Sequence, residues 1–137
     1  MAAAAAADVA VVFLGLPAAE ESEGYDRTHI DLPAVQLETL VAVRAANTNI
    51  VVVLSNGGVV ALPFRHDVPA ILEGWLLGQA GGTATADVLF GRVNPSGRLA
   101  ETIPLRLEDN PSYGSFPGEF GHVRYGEGIL VGYRGYD

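Results

Sequence analysis

Two short apolar runs constrain the fold of this chain more than any other feature of its sequence. "DVAVVFLGL", residues 8–16, and "NIVVVLSNG", residues 49–57, are rich in β-branched residues and are bounded by glycine or proline. Such runs are typical of strands that are buried on both faces of a sheet. Between them, residues 33–47 have the broad apolar face of a helix, with Pro33 in the first turn. The order strand, helix, strand predicts a parallel βαβ unit with a right-handed crossover.

The rest of the chain continues this pattern and then loses it. Residues 68–76 predict a third short strand, and residues 83–90 predict a helix that ends at Gly91. From residue 105 onwards glycine, proline and aromatic residues dominate, which predicts an irregular aromatic-rich tail. In the C-terminal part we expect only short strands, at residues 99–103, 122–125 and 129–133.

Together these elements predict one α/β domain over residues 8–137, with a mostly parallel sheet flanked by helices in a flavodoxin-like layering. The alanine-rich residues 1–7 form no separate domain. They suit the start of a helix, an irregular chain end, or the end of an element whose beginning is absent. Because this start lacks a basic region and Asp8 interrupts it, we expect neither a signal peptide nor a membrane span. Cytoplasm is then the default location.

The composition excludes several classes of partner and site. Apolar residues make up 49% of the 137 residues and charged residues 18%, as in a folded globular chain. The net charge of −8 argues against nucleic acid or an anionic membrane as the main partner. Without cysteine the chain has no disulfide and no thiolate metal site. No metal is expected at His29, His66 and His122 either, because they lack the spacing of zinc ligands.

An acidic segment, "EESEGYDRTHIDLP" at residues 20–33, directly follows the first predicted strand. In open α/β sheets ligands bind beyond the carboxyl ends of the strands, so this segment lies where a site is expected. Crowded like charges favour the protonated form of a carboxyl group, which a general acid requires. The crowded carboxylates are Glu20, Glu21 and Glu23. Asp26 and Arg27 could pair and hold the loop in shape. From these residues alone, a solvated acidic loop is the simpler interpretation.

Other motifs favour structural roles. "GQAGG", residues 78–82, meets neither nucleotide-binding fingerprint, so tight packing before a helix explains it better, and "SNGG", residues 55–58, is typical of a turn. No serine lies in a G-x-S-x-G elbow, so a serine hydrolase is unsupported. Trp75, which we place in the third strand, is expected to pack. Four more aromatic residues could stack on a flat ligand such as a sugar, although packing is their commoner role: Tyr113, Phe116, Phe120 and Tyr125.

Four motifs together resemble a known family. They are "ESEGYDRTHIDLP", "VVVLSNGG", "ILEGWLLGQAGGTATADVLFGRVNPSGRLAETIP" and "FPGEFGHVRYGEGILVGYRGYD", and they extend over residues 9–137. In this order they resemble the second, α/β-sandwich domain of glycoside hydrolase family 3, the β-glucosidase family. The long third motif is the most specific of the four.

The resemblance implies a retaining glycosidase that removes terminal β-D-glucosyl or related residues from non-reducing ends. Such enzymes use one carboxyl group as a nucleophile and a second as the general acid/base. The resemblance implies that a preceding barrel domain carries the nucleophile and that Glu23, in the Glu-Gly-Tyr-Asp-Arg motif, is the acid/base. Glu21 is the second choice, because an offset of the loop could exchange the two. The expected partners are a β-linked glucoside and the barrel; no metal or cofactor is implied.

Departures from the family pattern limit the expected function. The chain has no barrel and no nucleophile, and the family's domain starts earlier and ends later, so the chain looks like a truncated piece. We expect it to be inactive alone and to self-associate through an exposed sheet edge. Gly58 and Gly135 stand where bulkier residues are usual, which weakens local packing. The alternative function is a non-catalytic α/β module that binds a sugar or a protein.

Overall fold

The computed structural model describes residues 1–136. It divides the chain into two compact units, Met1–Gly97 and Arg98–Asp137. The first unit contains every strand and α-helix of the described residues, and the second is built from turns and short 3-10 helices. Within residues 1–136, no helix has both the length and the apolar character needed to cross a bilayer.

The first unit is organised around a three-stranded parallel sheet. β1 is Ala10–Gly15, β2 is Ile50–Ser55 and β3 is Ala70–Glu73, in the spatial order β1-β2-β3. Ala10 pairs with Ile50 at one end of the first ladder, and Val51 pairs with Ala70 in the second. The predicted fold class, a parallel sheet flanked by helices, is therefore confirmed.

Three helices accompany the sheet: α1 Ala2–Ala6, α2 Ala34–Ala46 and α3 Gly81–Leu89. α2 is the predicted crossover helix, and it begins directly after Pro33, where a proline N–H is not needed. Asn47 ends α2 and donates its side-chain amide to the carbonyls of Ala4 and Ala7 at 2.9 and 2.8 Å. The alanine-rich start is thus a helix that is tied to the end of α2.

The core lies on one face of the sheet, under α2. Leu14 of β1, Leu54 of β2 and Leu40 of α2 are each at most 4% exposed and pack in one cluster. The cluster also contains Leu32, Ile50, Val52, Val60 and Phe64. Residues that alternate with these point to the opposite face. β2 is buried on both faces as predicted, since Val53 is 3% exposed.

β1 is not buried on both faces, contrary to the prediction. Val11 and Phe13 are 42% and 65% exposed, because β1 is an edge strand and α2 covers only the other face. At the carboxyl end of this edge, the side-chain amide of Gln36 bonds to the backbone of Gly15. Its oxygen accepts from the Gly15 N–H at 3.0 Å, and its nitrogen donates to the Gly15 carbonyl at 2.8 Å.

The short strands predicted in the C-terminal part are wrong. Residues 99–103 and 122–125 lie in no strand, and the third segment overlaps a 3-10 helix, Gly132–Gly135. Backbone hydrogen bonds in this unit close local turns, and its only described ladder contact is a single bridge between Glu119 and His122 within residues 98–136. Several glycines here have a positive φ, which strands do not adopt: Gly118, Gly121, Gly128 and Gly132.

A 3-10 helix in the second unit, Leu107–Asp109, is held by an ion pair at its start. The Arg106 guanidinium binds the Asp109 carboxylate at 2.5 Å. This hydrogen bond lowers the pKa of Asp109 below its ordinary value.

We expect Leu40→Ala to lower the free energy of unfolding by about 2–5 kcal/mol, because it removes a buried side chain from the centre of the cluster. Val41→Ala is the matched control: Val41 is the next residue of α2 and is 68% exposed. The control is expected to change stability by less than about 0.5 kcal/mol. Urea denaturation followed by circular dichroism measures both, and equal losses would contradict the position of the core.

Candidate functional site

The loops that follow the three strands lie at one edge of the sheet, because parallel strands end on the same side. The acidic segment follows β1, the turn Asn56–Gly58 follows β2, and residues 74–77 follow β3. The turn after β2 is central, as β2 is the middle strand. It is also the part that the other two loops contact.

Glu21 binds this central turn with both carboxylate oxygens. Its Oε2 accepts from the Gly57 N–H at 2.6 Å, and its Oε1 accepts from the Gly58 N–H at 2.8 Å. Hydrogen bonds from backbone N–H groups to an ionised carboxylate are stronger than neutral ones. Glu21 is therefore engaged within the protein and joins the acidic segment to β2.

Arg27 adds a second connection between the acidic segment and the same turn. Its Nη2 donates to the Val59 carbonyl at 3.0 Å and lies 4.0 Å from Oε1 of Glu21. The expected pair between Asp26 and Arg27 is not formed: Asp26 is exposed, and the ion pair of Arg27 is with Glu21. The half-buried Glu21 is the better partner because it is already held at the turn beside Arg27.

Glu23 lies between these two anchors and is exposed. Among residues 1–136, no hydrogen bond or ion pair engages its carboxyl group. Gly24 follows it with a φ of +94°, in the left-handed region that favours glycine. The next side chain, Tyr25, donates its hydroxyl to the Ala19 carbonyl at 2.8 Å, which closes the loop on itself. Glu23 is thus a free carboxyl group on a loop that is fixed on both sides.

Sequence reasoning missed two polar residues at this edge, Asn56 and Glu73. Asn56 is fully buried, and its side-chain nitrogen donates to the Gly58 carbonyl at 2.9 Å and lies 3.5 Å from Oε2 of Glu73. Glu73 ends β3 and also accepts from the Trp75 N–H at 2.9 Å. The available signal was position alone, since both residues stand at the carboxyl end of a strand.

Trp75 is not in a strand, contrary to the prediction. β3 ends at Glu73, and Trp75 has a φ of 54°, which strand residues do not adopt. The bond from its N–H to the Glu73 carboxylate stabilises this turn. Trp75 is half-buried, whereas the four aromatic residues that could stack on a flat ligand are exposed at 49% to 97%: Tyr113, Phe116, Phe120 and Tyr125.

The other sequence motifs bring no second site together. Within residues 1–136, no three histidine, aspartate or glutamate side chains are grouped so that they could hold a metal ion. Residues 78–82 lead into α3, where Gly81 is buried and approaches Leu77 so closely that a Cβ would lie 2.5 Å from the leucine Cβ. Tight packing therefore accounts for Gly81, whereas a Cβ at Gly78 or Gly82 would meet nothing within 4 Å.

Nearly the whole length of the chain matches one protein family. Residues 1–133 match the glycosyl hydrolase family 3 C-terminal domain. The chain belongs to glycoside hydrolase family 3. A relative from Bifidobacterium breve, exo-alpha-(1->6)-L-arabinopyranosidase, is 59% identical over 96% of this chain and 17% of its own length. Thermostable beta-glucosidase B of Acetivibrio thermocellus is 57% identical over 98% of this chain and 18% of its own length.

Solved structures of family 3 enzymes have the same fold over this segment. The beta-glucosidase of Bifidobacterium adolescentis superimposes with a TM-score of 0.93 at 61% identity, over 98% of this chain and 20% of that one. A beta-glucosidase of Kluyveromyces marxianus in complex with glucose gives 0.92 at 45% identity, over 98% and 16%. The chain therefore spans less than a quarter of the length of these family 3 relatives.

We expect Gly58→Ala to break the contact of Arg27 with the turn, and so to loosen the acidic segment around Arg27, with little loss of stability. A Cβ at Gly58 would lie 2.9 Å from Nη2 of Arg27, so the arginine must leave its place at the turn. Trypsin should then cleave after Arg27 faster than in the unmodified chain. Gly78→Ala is the control, because its Cβ would meet nothing within 4 Å. Equal cleavage rates in both variants would show that Arg27 does not hold the loop.

Proposed function

We propose that this chain is the part of a retaining β-glucosidase that supplies the general acid/base, and that Glu23 is that group. The observation that carries the proposal is the contrast between two nearby carboxylates at the ligand-binding edge of the sheet. Glu21 is bound by two backbone N–H groups, whereas Glu23 is exposed and makes no hydrogen bond or ion pair with the other described residues, 1–136. A general acid/base must be free to contact the substrate oxygen.

The proposed reaction has two steps. A carboxylate on a barrel domain outside this chain attacks the anomeric carbon, and the Glu23 carboxyl group gives its proton to the departing glycosidic oxygen. In the second step, the Glu23 carboxylate takes a proton from water as the water attacks the glycosyl-enzyme. The sugar is released, and both carboxyl groups return to their starting states. No metal or redox cofactor takes part in these steps.

The proposed substrate is a terminal, non-reducing β-D-glucosyl residue. Two lines of support are the names of the relatives, which include several beta-glucosidases, and the glucose complex of the Kluyveromyces marxianus enzyme. The arabinopyranosidases among the relatives make an α-L-arabinopyranosyl residue the second choice. The barrel is proposed to make most of the contacts with the sugar.

We also propose that the chain by itself associates with a second copy through β1. β1 is an edge strand, and its outer side has no neighbouring strand within residues 1–136. Exposed edges with apolar side chains pair readily with other chains. Phe13 and Val11 provide such side chains.

The purified chain is expected to show no hydrolysis of an aryl β-glucoside. Retaining hydrolysis needs two carboxyl groups about 5–5.5 Å apart, and the chain supplies only one of them. Turnover above the buffer rate that is abolished by Glu23→Gln would contradict this expectation, because it would mean that the chain contains its own nucleophile.

The role of Glu23 is tested in a composite enzyme, the Bifidobacterium adolescentis beta-glucosidase with its matching segment replaced by this chain. Glu23→Gln is expected to lower kcat/KM for an alkyl β-glucoside about 10²- to 10⁴-fold. The loss should be much smaller for a 2,4-dinitrophenyl glucoside, whose leaving group needs no proton. Glu38→Gln, on the exposed side of α2, is the control. Equal losses on both substrates, or an inactive unmodified composite, would overturn the proposal.

Association through β1 is tested by sedimentation velocity over a range of chain concentrations. Phe13→Lys is expected to shift the chain towards monomer, because it places a charge on the exposed face of the edge strand. Phe90→Lys is the control, since Phe90 is 82% exposed but lies after α3, away from the strands. A chain that is monomeric without either substitution would contradict the proposal.

A further inference from the structure

We propose that Glu21 is a positioning residue, which fixes the place of Glu23 by binding the turn after β2. The inference rests on the proposed acid/base role of Glu23. It gives the two neighbouring glutamates different tasks: Glu23 exchanges protons with the substrate, and Glu21 holds the loop that carries it.

The first support is the geometry of the Glu21 carboxylate. It accepts two bonds, of 2.6 and 2.8 Å, from the consecutive N–H groups of Gly57 and Gly58. Each oxygen has its own donor, so the carboxylate cannot rotate without losing a bond. This contact joins residues that are 36 and 37 positions apart in the chain. It fixes a point two residues before Glu23.

The second support is the close approach that the turn permits. A Cβ at Gly57 would lie 3.2 Å from the Glu21 Cδ and 3.0 Å from a methyl carbon of Leu76. A Cβ at Gly58 would displace Arg27, as described above. Gly57 therefore leaves room for the Glu21 carboxylate at the N–H groups of the turn, and Gly58 leaves room for Arg27 at the Val59 carbonyl. This gives Gly58, which the resemblance to the family marks as a departure that weakens local packing, a role in the site.

The third support is the rigidity of the turn itself. The buried Asn56 side chain bonds to the Gly58 carbonyl, and it lies beside the Glu73 carboxylate at the end of β3. Glu73 in turn holds the Trp75 N–H. The turn that Glu21 binds is thus connected to β2 and to β3. Through Glu21, the ends of all three strands determine where Glu23 stands.

The expected consequence is kinetic. A general acid must lie within hydrogen-bond reach of the leaving oxygen, about 2.6–3.2 Å. A misplacement of about 1 Å can lower the rate 10²-fold. Loss of Glu21 should therefore lower kcat while KM changes little, because the substrate still binds and Glu23 is still present.

The contact of Glu21 with the N–H groups of Gly57 and Gly58 is tested first in the isolated chain. NMR measures it without depending on any activity. Glu21→Ala is expected to speed amide hydrogen exchange at Gly57 and Gly58 and to lower the order parameter of Glu23, while Leu40 in the core stays unchanged. Glu21→Gln keeps one acceptor oxygen and should give intermediate values. Unchanged exchange and order in Glu21→Ala would overturn the positioning role, whatever Glu23 does.

The effect on catalysis is tested in the composite enzyme with Glu21→Ala and Glu23→Ala. Glu21→Ala is expected to lower kcat about 10- to 100-fold and to keep the basic limb of the pH profile, which is the fall in activity at high pH as the general acid loses its proton. Glu23→Ala should lose that limb. With a 2,4-dinitrophenyl glucoside and azide, Glu23→Ala should form glucosyl azide, because azide attacks the glycosyl-enzyme without a general base and frees the nucleophile.

The outcomes separate the two proposals. If Glu21→Ala loses the basic limb and forms glucosyl azide, Glu21 is itself the acid/base, and both proposals are wrong. Suppose instead that NMR shows that Glu21→Ala loosens the turn and the loop, while Glu23→Ala keeps the fall in activity at high pH. In that case the acid/base assignment fails, and the contact of Glu21 with the turn stands. If Glu21→Ala keeps full kcat although NMR shows a more mobile loop, Glu23 needs no positioning and the inference fails.

Discussion

The parallel alignment of β1 and β3 on either side of β2 is the constraint on which the site depends. It places three loop starts at one edge of the sheet, although they are far apart in the sequence. β2 can lie in the middle of the sheet because the side chains on both of its faces are mostly apolar and can be buried. The turn after β2 is the common point of attachment. Glu21, from the loop after β1, and Glu73, at the end of β3, both contact it through carboxylate oxygens.

Two glutamates in one short loop have different surroundings, and the surroundings suggest different tasks. The Glu21 carboxylate receives two backbone N–H bonds, so it is held against the turn and cannot also reach a substrate. The exposed Glu23 carboxyl group is not held in this way within residues 1–136 and can contact one. Enzymes that use two carboxyl groups commonly separate their roles through environment in this way. Here the same device separates a proposed acid/base from its support.

Much of the fold follows from local patterns, but the site does not. The apolar runs of β1 and β2 and the apolar face of α2 are read directly from neighbouring residues, so they were predicted close to their true positions. The bonds of Glu21 to Gly57 and Gly58 join distant parts of the chain through backbone N–H groups, which carry no side-chain signal. A resemblance to the family could point to Glu23, whereas the residues alone favoured a solvated loop. The C-terminal part is irregular, as predicted, but the short strands expected within it are absent from residues 98–136 because its backbone hydrogen bonds close local turns.

The side-chain amide of Gln36 occupies the outward-facing N–H and carbonyl of Gly15 with one acceptor and one donor. A neighbouring strand would otherwise bond to these two groups. Any additional strand laid along β1 must therefore stop short of the loop that carries the two glutamates. Pairing of a further strand with β1 therefore leaves the loop that carries Glu21 and Glu23 uncovered at the carboxyl edge of the sheet.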